Sequence, residues 1–240
     1  MIQPSRDEFR SLARSYSVVP VWQELLADLT TPVAAFARVV GSEPGFLLES
    51  VEHGERWGRW SFIGRRPTAS IVAAGGRLSV SGSLPSSVPL DRGVLAALEG
   101  LLAVYRSPAL PGLPPWHGGV VGYLGYDVVR EVERLPCVPP DDLHYPDAVL
   151  SVIGQLAAYD HWRQRVTLID SVPLPLPLSG AGPGDVDDLY DAAVARLAQM
   201  AEDGSRPLDE PLVALPPNGE SPDSEELPSV RRLMSVEQYA

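Results

Sequence analysis

The chain has 240 residues, of which 45% are apolar and 21% charged, a composition typical of globular proteins. Nineteen basic residues, all of them arginine, against 31 acidic residues give a formal charge of −12, which argues against a nucleic-acid or anionic-membrane surface. No apolar run approaches the ~18 residues of a membrane-spanning helix, and the N-terminus lacks the basic start and apolar core of a secretory signal. The single cysteine, Cys137, excludes an intrachain disulfide and a cysteine-rich zinc site. We therefore predict a cytoplasmic protein with neither a nucleic-acid nor a membrane partner.

Cap residues and apolar patterning in the N-terminal half predict two helices and five short strands. The predicted helices cover residues 5–15 and 32–40, and the predicted strands cover 18–22, 46–51, 60–64, 69–74 and 77–81. Pro20 predicts that the first of these strands lies at a sheet edge, because proline donates no ladder hydrogen bond. The pair Gly75-Gly76 predicts a tight hairpin between the last two strands.

The C-terminal half combines helical and strand patterns with a cluster of glycines. We predict helices over 91–105 and 185–200, and two long strands over 147–160 and 164–170. The glycines of 118–125 have the spacing G-G-x-x-G-x-x-G, which matches neither the dinucleotide fingerprint nor the phosphate-binding loop. This spacing favours a strand that another backbone or a large ring approaches closely. Proline-rich acidic residues follow over 204–229, and a serine-capped helix begins at residue 235.

The residues alone reveal no catalytic constellation, but one segment favours a small binding pocket. Glu49 and Ser50 end an apolar strand, and the next predicted strand carries Ser61 beside aromatic residues. If the two strands end together, a carboxylate and hydroxyls meet an aromatic wall, which suits a small zwitterion. The alternative is a strand-end salt bridge of Glu49 with Arg56 or Arg59.

Several segments, taken in order, carry a resemblance to a known family. They are residues 31–36 (TPVAAF), 46–50 (FLLES), 55–64 (ERWGRWSFIG), 118–127 (GGVVGYLGYD), 146–147, 159–161 and 235–239. Together they resemble the N-terminal region of anthranilate synthase component I. The chain departs from the commoner pattern at Trp60, where tyrosine is usual, and at Leu124, where phenylalanine is usual. Both exchanges keep an apolar residue.

The resemblance implies both a fold and a domain arrangement. The implied fold class is α+β, with antiparallel sheets flanked by helices. Residues 1–203 would form the N-terminal regulatory domain, 204–229 a linker, and 230–240 the start of a truncated chorismate-binding catalytic domain. Component I is a lyase of tryptophan biosynthesis that converts chorismate to anthranilate and pyruvate with Mg²⁺. It uses ammonia from a glutamine amidotransferase partner subunit.

The resemblance also implies a binding site for the feedback inhibitor L-tryptophan. The serine of the L-L-E-S motif, here Ser50, helps to bind tryptophan, and Leu48 and Glu49 line the same pocket. Ser61 is included for its proximity alone. The family's chorismate and Mg²⁺ residues lie in its C-terminal portion, so no catalytic or metal residue is assigned here. These 240 residues alone are accordingly expected to be inactive.

Three other functions remain open at this stage. The sister enzyme, aminodeoxychorismate synthase component I of folate synthesis, shares the fold and differs in its product. The chain could instead be a stand-alone, non-catalytic amino-acid-binding module, which titration with L-tryptophan would test. It could also be a scaffold that docks only the amidotransferase, which co-purification would test.

Overall fold

Two antiparallel sheets with flanking helices form the part of the chain that the structure describes. The computed structural model describes residues 1–49, 58–136, 138, 140–141, 143–174 and 183–208. Its strands are β1 (Ile2–Gln3), β2 (Val18–Leu26), β3 (Gly45–Glu49), β4 (Trp60–Arg65), β5 (Ala69–Ala74), β6 (Arg77–Gly82), β7 (Val120–Leu124), β8 (Ala148–Val152), β9 (Gln155–Asp160) and β10 (Arg165–Pro173). Its helices are α1 (Arg6–Ala13), α2 (Pro32–Val39), α3 (Val94–Val104) and α4 (Pro183–Gly204), with a 3-10 helix at Tyr126–Glu131. The predicted α+β class is confirmed.

The chain passes twice between the two sheets. One sheet has the strand order β1-β2-β10-β9-β4-β3, and the other has the order β6-β5-β8-β7. Strand β4 pairs with β9 in the first sheet, while their chain neighbours β5 and β8 pair in the second. Residues 60–74 and 148–160 therefore form one two-stranded antiparallel ribbon that bends between the sheets. We call it the shared ribbon.

The predicted single strand over 147–160 is wrong, because the chain changes sheets in its middle. Strand β8 ends at Val152 and β9 begins at Gln155, so Ile153 and Gly154 make the bend. A Cβ atom on Gly154 would lie 2.2 Å from the carbonyl oxygen of Arg66, where the other strand of the ribbon bends. A continuous apolar run predicts burial but does not reveal such a change of sheet.

The predicted edge position of the strand at Pro20 is also wrong, since β2 lies between β1 and β10. The two-residue β1 reaches only Trp22 and Gln23, so Pro20 has a strand neighbour on the β10 side alone. A proline is tolerated there because no ladder hydrogen bond is required on the open side.

The glycine predictions agree with the structure. Gly75 and Gly76 join β5 to β6 with φ angles of +55° and +72°, the left-handed geometry of a tight hairpin. In the 118–125 cluster, a Cβ atom on Gly122 would lie 1.8 Å from the carbonyl oxygen of Val149. The cluster thus accommodates a closely approaching backbone, as its spacing predicts.

Helices cover one face of the six-stranded sheet and so define its two sides. The largest apolar cluster lies between this face and α1, α2 and α4, and it includes Phe9, Ile63 and Leu197. The opposite face carries Trp22 and Leu156, together with residues of the 110–121 segment. Among the described helices, none is both long and apolar enough to cross a membrane.

Candidate functional site at the end of the β3–β4 pair

The two strands that carry the predicted pocket residues are neighbours, as the sequence predicts. Strand β3 is the edge strand of its sheet, and Glu49 lies directly opposite Ser61 of β4. Directly opposed residues of antiparallel strands project to the same face. The structure therefore brings Glu49 and Ser61 together, whereas Ser50 lies outside the described residues.

Leu48 lies on the other face of the sheet. It is opposite Phe62, and successive side chains of a strand alternate between faces. Leu48 is 44% exposed, although it borders an aromatic cluster. In this cluster Phe62 meets Trp116 edge to face at 4.9 Å and stacks with Trp60 at 6.2 Å. The end of β3 thus presents a carboxylate on the helix-covered face and an apolar wall on the opposite face.

The Ser61 hydroxyl is hydrogen-bonded to His161, a residue that sequence reasoning did not assign to the site. Ser61 Oγ lies 2.8 Å from His161 Nε2, and Ser61 as a whole is only 2% exposed. The backbone N–H of His161 donates to the carbonyl oxygen of Arg59, which continues the β4–β9 pairing. The sequence alone could not assign His161 to the site, because segments 59–61 and 159–161 lie 100 residues apart and only their antiparallel pairing brings them together.

Glu49 of β3, Ser61 of β4 and Tyr159 of β9 lie side by side across three neighbouring strands. Glu49 is the one charged residue in this cross-strand row. Burial raises the pKa of Tyr159 to about 12, against a smaller opposing effect of the Arg38 charge, so its phenol is neutral at pH 7. The carboxylate of Glu49 gives the row its negative charge and favours a cationic group at this end of the sheet.

Arg59 pairs with Asp160 and is enclosed by two tryptophans. Arg59 Nε donates to Asp160 Oδ1 at 2.9 Å, and Nη2 donates to Oδ2. The guanidinium carbon lies 5.0 Å from the ring centres of both Trp60 and Trp162. Arg59 therefore forms its salt bridge with Asp160 and not, as the alternative interpretation predicted, with Glu49. Arg56, the other predicted partner of Glu49, lies outside the described residues.

Asp160 is expected to make the folded state less stable in acid. Hydrogen bonds from Arg59 hold the pKa of this carboxyl below its usual range, although burial opposes this shift. A lowered folded-state pKa stabilises the fold above the unfolded pKa of about 4, and this contribution disappears as the pH falls through the folded value. Urea unfolding measured from pH 6 to pH 2.5 should show a smaller acid-side loss for Asp160→Asn than for wild type. An identical slope in both proteins would contradict this role.

Comparison with known proteins places the chain in the family of anthranilate synthase component I. It is 39% identical over 206 residues to anthranilate synthase component 1 of Mycolicibacterium smegmatis, covering 85% of this chain and 38% of that protein. The corresponding protein of Mycobacterium tuberculosis (strain H37Rv) is 41% identical over 209 residues, with coverages of 85% and 40%. That of Arthrobacter globiformis is 34% identical over 218 residues, with coverages of 90% and 40%. The chain is a homologue of anthranilate synthase component I.

The homology extends over most of this chain but over less than half of each relative. The chain spans 38–40% of the length of these anthranilate synthase component 1 proteins. No family model matches the chain. The crystal structure of anthranilate synthase component I from Streptococcus pneumoniae TIGR4 aligns with a TM-score of 0.45 and 22% identity, covering 77% of this chain and 37% of that one.

The described part of this homologue contains no group of side chains that could hold the Mg²⁺ expected of anthranilate synthase component I. Within residues 1–49, 58–136, 138, 140–141, 143–174 and 183–208, no three His, Cys, Asp or Glu side chains form a group that could hold a metal ion. Mg²⁺ requires several oxygen ligands in octahedral geometry. No described residue is therefore assigned to Mg²⁺ or to a catalytic step.

Proposed function

We propose that this chain is the N-terminal portion of an anthranilate synthase component I. The complete enzyme would convert chorismate to anthranilate and pyruvate in the cytoplasm, with ammonia from a glutamine amidotransferase subunit. The sequence identity of up to 41% to component 1 proteins supports this proposal, and so do the ordered motifs. Mg²⁺ and chorismate would bind to the portion of the enzyme that this chain does not span.

We infer further that the end of β3 binds L-tryptophan as a feedback inhibitor. The Glu49 carboxylate suits the ammonium group of the ligand. Leu48 and the aromatic cluster lie on the opposite face of the sheet, so the indole ring would reach them around the outer edge of β3. Ser50, which follows Glu49 in the sequence, would add a hydroxyl. Ser61 would support this site from the neighbouring strand, because it is buried and bonded to His161.

The proposed regulation requires an enzyme that can adopt two conformations. Tryptophan bound to this portion lowers activity elsewhere only if it binds one arrangement more tightly than the other. Side chains at the end of β3 are suited to such a role, since among the described residues no strand pairs with its outer side, which would be able to contact another part of the enzyme.

Ser50→Phe is expected to weaken inhibition by L-tryptophan, because the larger side chain fills the proposed site. In the full-length protein with its amidotransferase subunit, Mg²⁺ and chorismate, half-inhibition should require about tenfold more tryptophan or greater. Anthranilate fluorescence measures the rates with and without tryptophan. Ser42→Ala, an exposed serine just before β3, is the matched control and should be inhibited like wild type.

The same assay separates failure of the site from failure of the reaction. Unchanged inhibition of Ser50→Phe would reject the tryptophan site but leave the enzyme assignment intact. Formation of 4-amino-4-deoxychorismate in place of anthranilate would reject the assignment and favour the folate-pathway enzyme. Calorimetric titration of the 240-residue chain with L-tryptophan measures how much of the site this portion supplies alone.

A further inference from the structure

His161 extends the end of β9 toward the same end of the sheet as Glu49. Its backbone N–H donates to the carbonyl oxygen of Arg59, which continues the β4–β9 pairing by one residue. Side chains two residues apart on a strand project to the same face, so His161 lies on the face of Tyr159. This is the helix-covered face, to which Glu49 also projects.

The imidazole of His161 is exposed, whereas the serine to which it bonds is buried. Ser61 is 2% exposed, and its Oγ lies 2.8 Å from His161 Nε2. The other ring nitrogen, Nδ1, has no hydrogen bond to any described residue. A bound amino acid would therefore meet the His161 ring before it met the Ser61 hydroxyl.

Glu49 and His161 lie on either side of Ser61. Directly opposed residues of antiparallel strands have Cβ atoms about 4.5–5.5 Å apart, so Glu49 adjoins Ser61 from β3. His161 adjoins it from the end of β9, through the 2.8 Å hydrogen bond. Within the described part of the chain, neither the Glu49 carboxylate nor His161 Nδ1 has a hydrogen-bond or ion-pair partner. A negative group and a ring nitrogen are thus both available at this end of the sheet.

The arginines near this end of the sheet are less suited to complete the site. Arg59 and Arg165 already have carboxylate partners. Arg38 has no such partner among the described residues, but its Nη1 donates to a threonine hydroxyl and its Nε is buried. Arg163 is exposed in the turn that also contains His161. Of these basic side chains, only His161 forms a hydrogen bond with a described residue of the predicted site.

We propose that His161 binds the carboxylate of the amino acid whose ammonium group pairs with Glu49, an assignment that rests on the function proposed above. An α-amino acid carries both charged groups on one carbon atom, so their partners must lie close together, as these two residues do. When the Ser61 hydroxyl donates to Nε2, the neutral ring carries its proton on Nδ1, which then donates to the carboxylate. Ser61 is accordingly a positioning residue.

L-Tryptophan and tryptamine, which lacks the carboxylate, test this assignment. The assay uses the full-length protein with its amidotransferase subunit, Mg²⁺ and chorismate, and each rate is compared with that of the same variant without ligand. Half-inhibition of His161→Ala should require about tenfold more tryptophan than wild type, because a hydrogen bond to a charged group is lost. The same variant should require no more tryptamine than wild type. Equal losses for both ligands would indicate a structural role and overturn the proposal.

His161→Asn gives a second measurement that does not depend on tryptamine. The asparagine amide keeps an N–H donor near the position of Nδ1, so half-inhibition should require only about threefold more tryptophan than wild type. A loss as large as that of His161→Ala would contradict hydrogen bonding through Nδ1 and overturn the proposal.

His144→Ala is the matched control. The side chain of His144 is 82% exposed and pairs with Asp141 in the loop before β8, so this variant should be inhibited like wild type. Arg163→Ala should also be inhibited like wild type. A selective loss of tryptophan inhibition in Arg163→Ala, with none in His161→Ala, would assign the carboxylate to the arginine and overturn the proposal.

The wild-type enzyme separates this proposal from the tryptophan site on which it rests. A wild-type enzyme that forms anthranilate but is not inhibited by tryptophan would reject the site as a whole. An enzyme that tryptophan inhibits equally in wild type and His161→Ala would reject only the role of His161.

Discussion

Asp203→Ala should lower the free energy of unfolding by about 3–5 kcal/mol, because it leaves a buried guanidinium without its counter-charge. Arg65 and Asp203 are 5% and 6% exposed, and they join β4 to the end of α4. Arg65 Nη1 also donates to the carbonyl oxygen of Val39 at 2.9 Å, and Nε donates to Gln155 Oε1 at 2.7 Å. These neutral acceptors remain in the variant but do not neutralise the charge.

Urea unfolding of Asp203→Ala should be compared with Asp191→Ala. Asp191 also lies on α4 and pairs with an arginine, Arg6, but its side chain is 59% exposed. Exposed ion pairs contribute at most about 1 kcal/mol, so this control should remain close to wild type. Equal losses in the two variants would show that burial of the Arg65–Asp203 pair is not the source of its effect.

Gly154→Ala should destabilise the protein by about 3 kcal/mol, since its methyl group would meet backbone and not a movable side chain. The new Cβ would lie 2.2 Å from the carbonyl oxygen of Arg66, so the two strands of the shared ribbon would have to separate. For a chain of this size, the midpoint of thermal unfolding should fall by roughly 6–12 °C.

Gly118→Ala is the control for this exchange. Its added Cβ would have its nearest contact at 3.4 Å, an ordinary van der Waals distance, and its φ lies outside the left-handed region. Calorimetry should therefore show little change in its unfolding midpoint. If Gly154→Ala were as stable as Gly118→Ala, the close approach of the bends at 66 and 154 would be refuted.

Local chemistry made some elements predictable from the sequence. A tight hairpin requires positive φ angles, and the pair Gly75-Gly76 can adopt them, so the hairpin was predictable. The Thr31-Pro32 cap likewise begins α2 at the expected residue. The change of sheet at Gly154 was not predictable, because the contact that requires glycine there is with the carbonyl oxygen of Arg66, far away in sequence. The edge prediction for Pro20 was wrong for a similar reason. Whether Pro20 has a strand neighbour on each side depends on how far β1 extends along β2, which the sequence around Pro20 does not reveal.

The candidate site was predictable only in part, for the same physical reason. Alternation along β3 follows from the sequence, and it already separates Leu48 from Glu49. The register that sets Glu49 opposite Ser61 was a hypothesis, which the β3–β4 pairing confirms. His161 could not be assigned without the sheet order, because its contact with Ser61 requires β9 to lie beside β4.

The shared ribbon also determines how this part of the chain can open. Because β4–β5 and β8–β9 continue from one sheet into the other, neither sheet can lose these central strands without loosening its neighbour. Residues 1–208 accordingly form one compact unit in place of two separable lobes. Backbone amides on either side of the bend should share one protection free energy against hydrogen exchange, as members of a single cooperative unit.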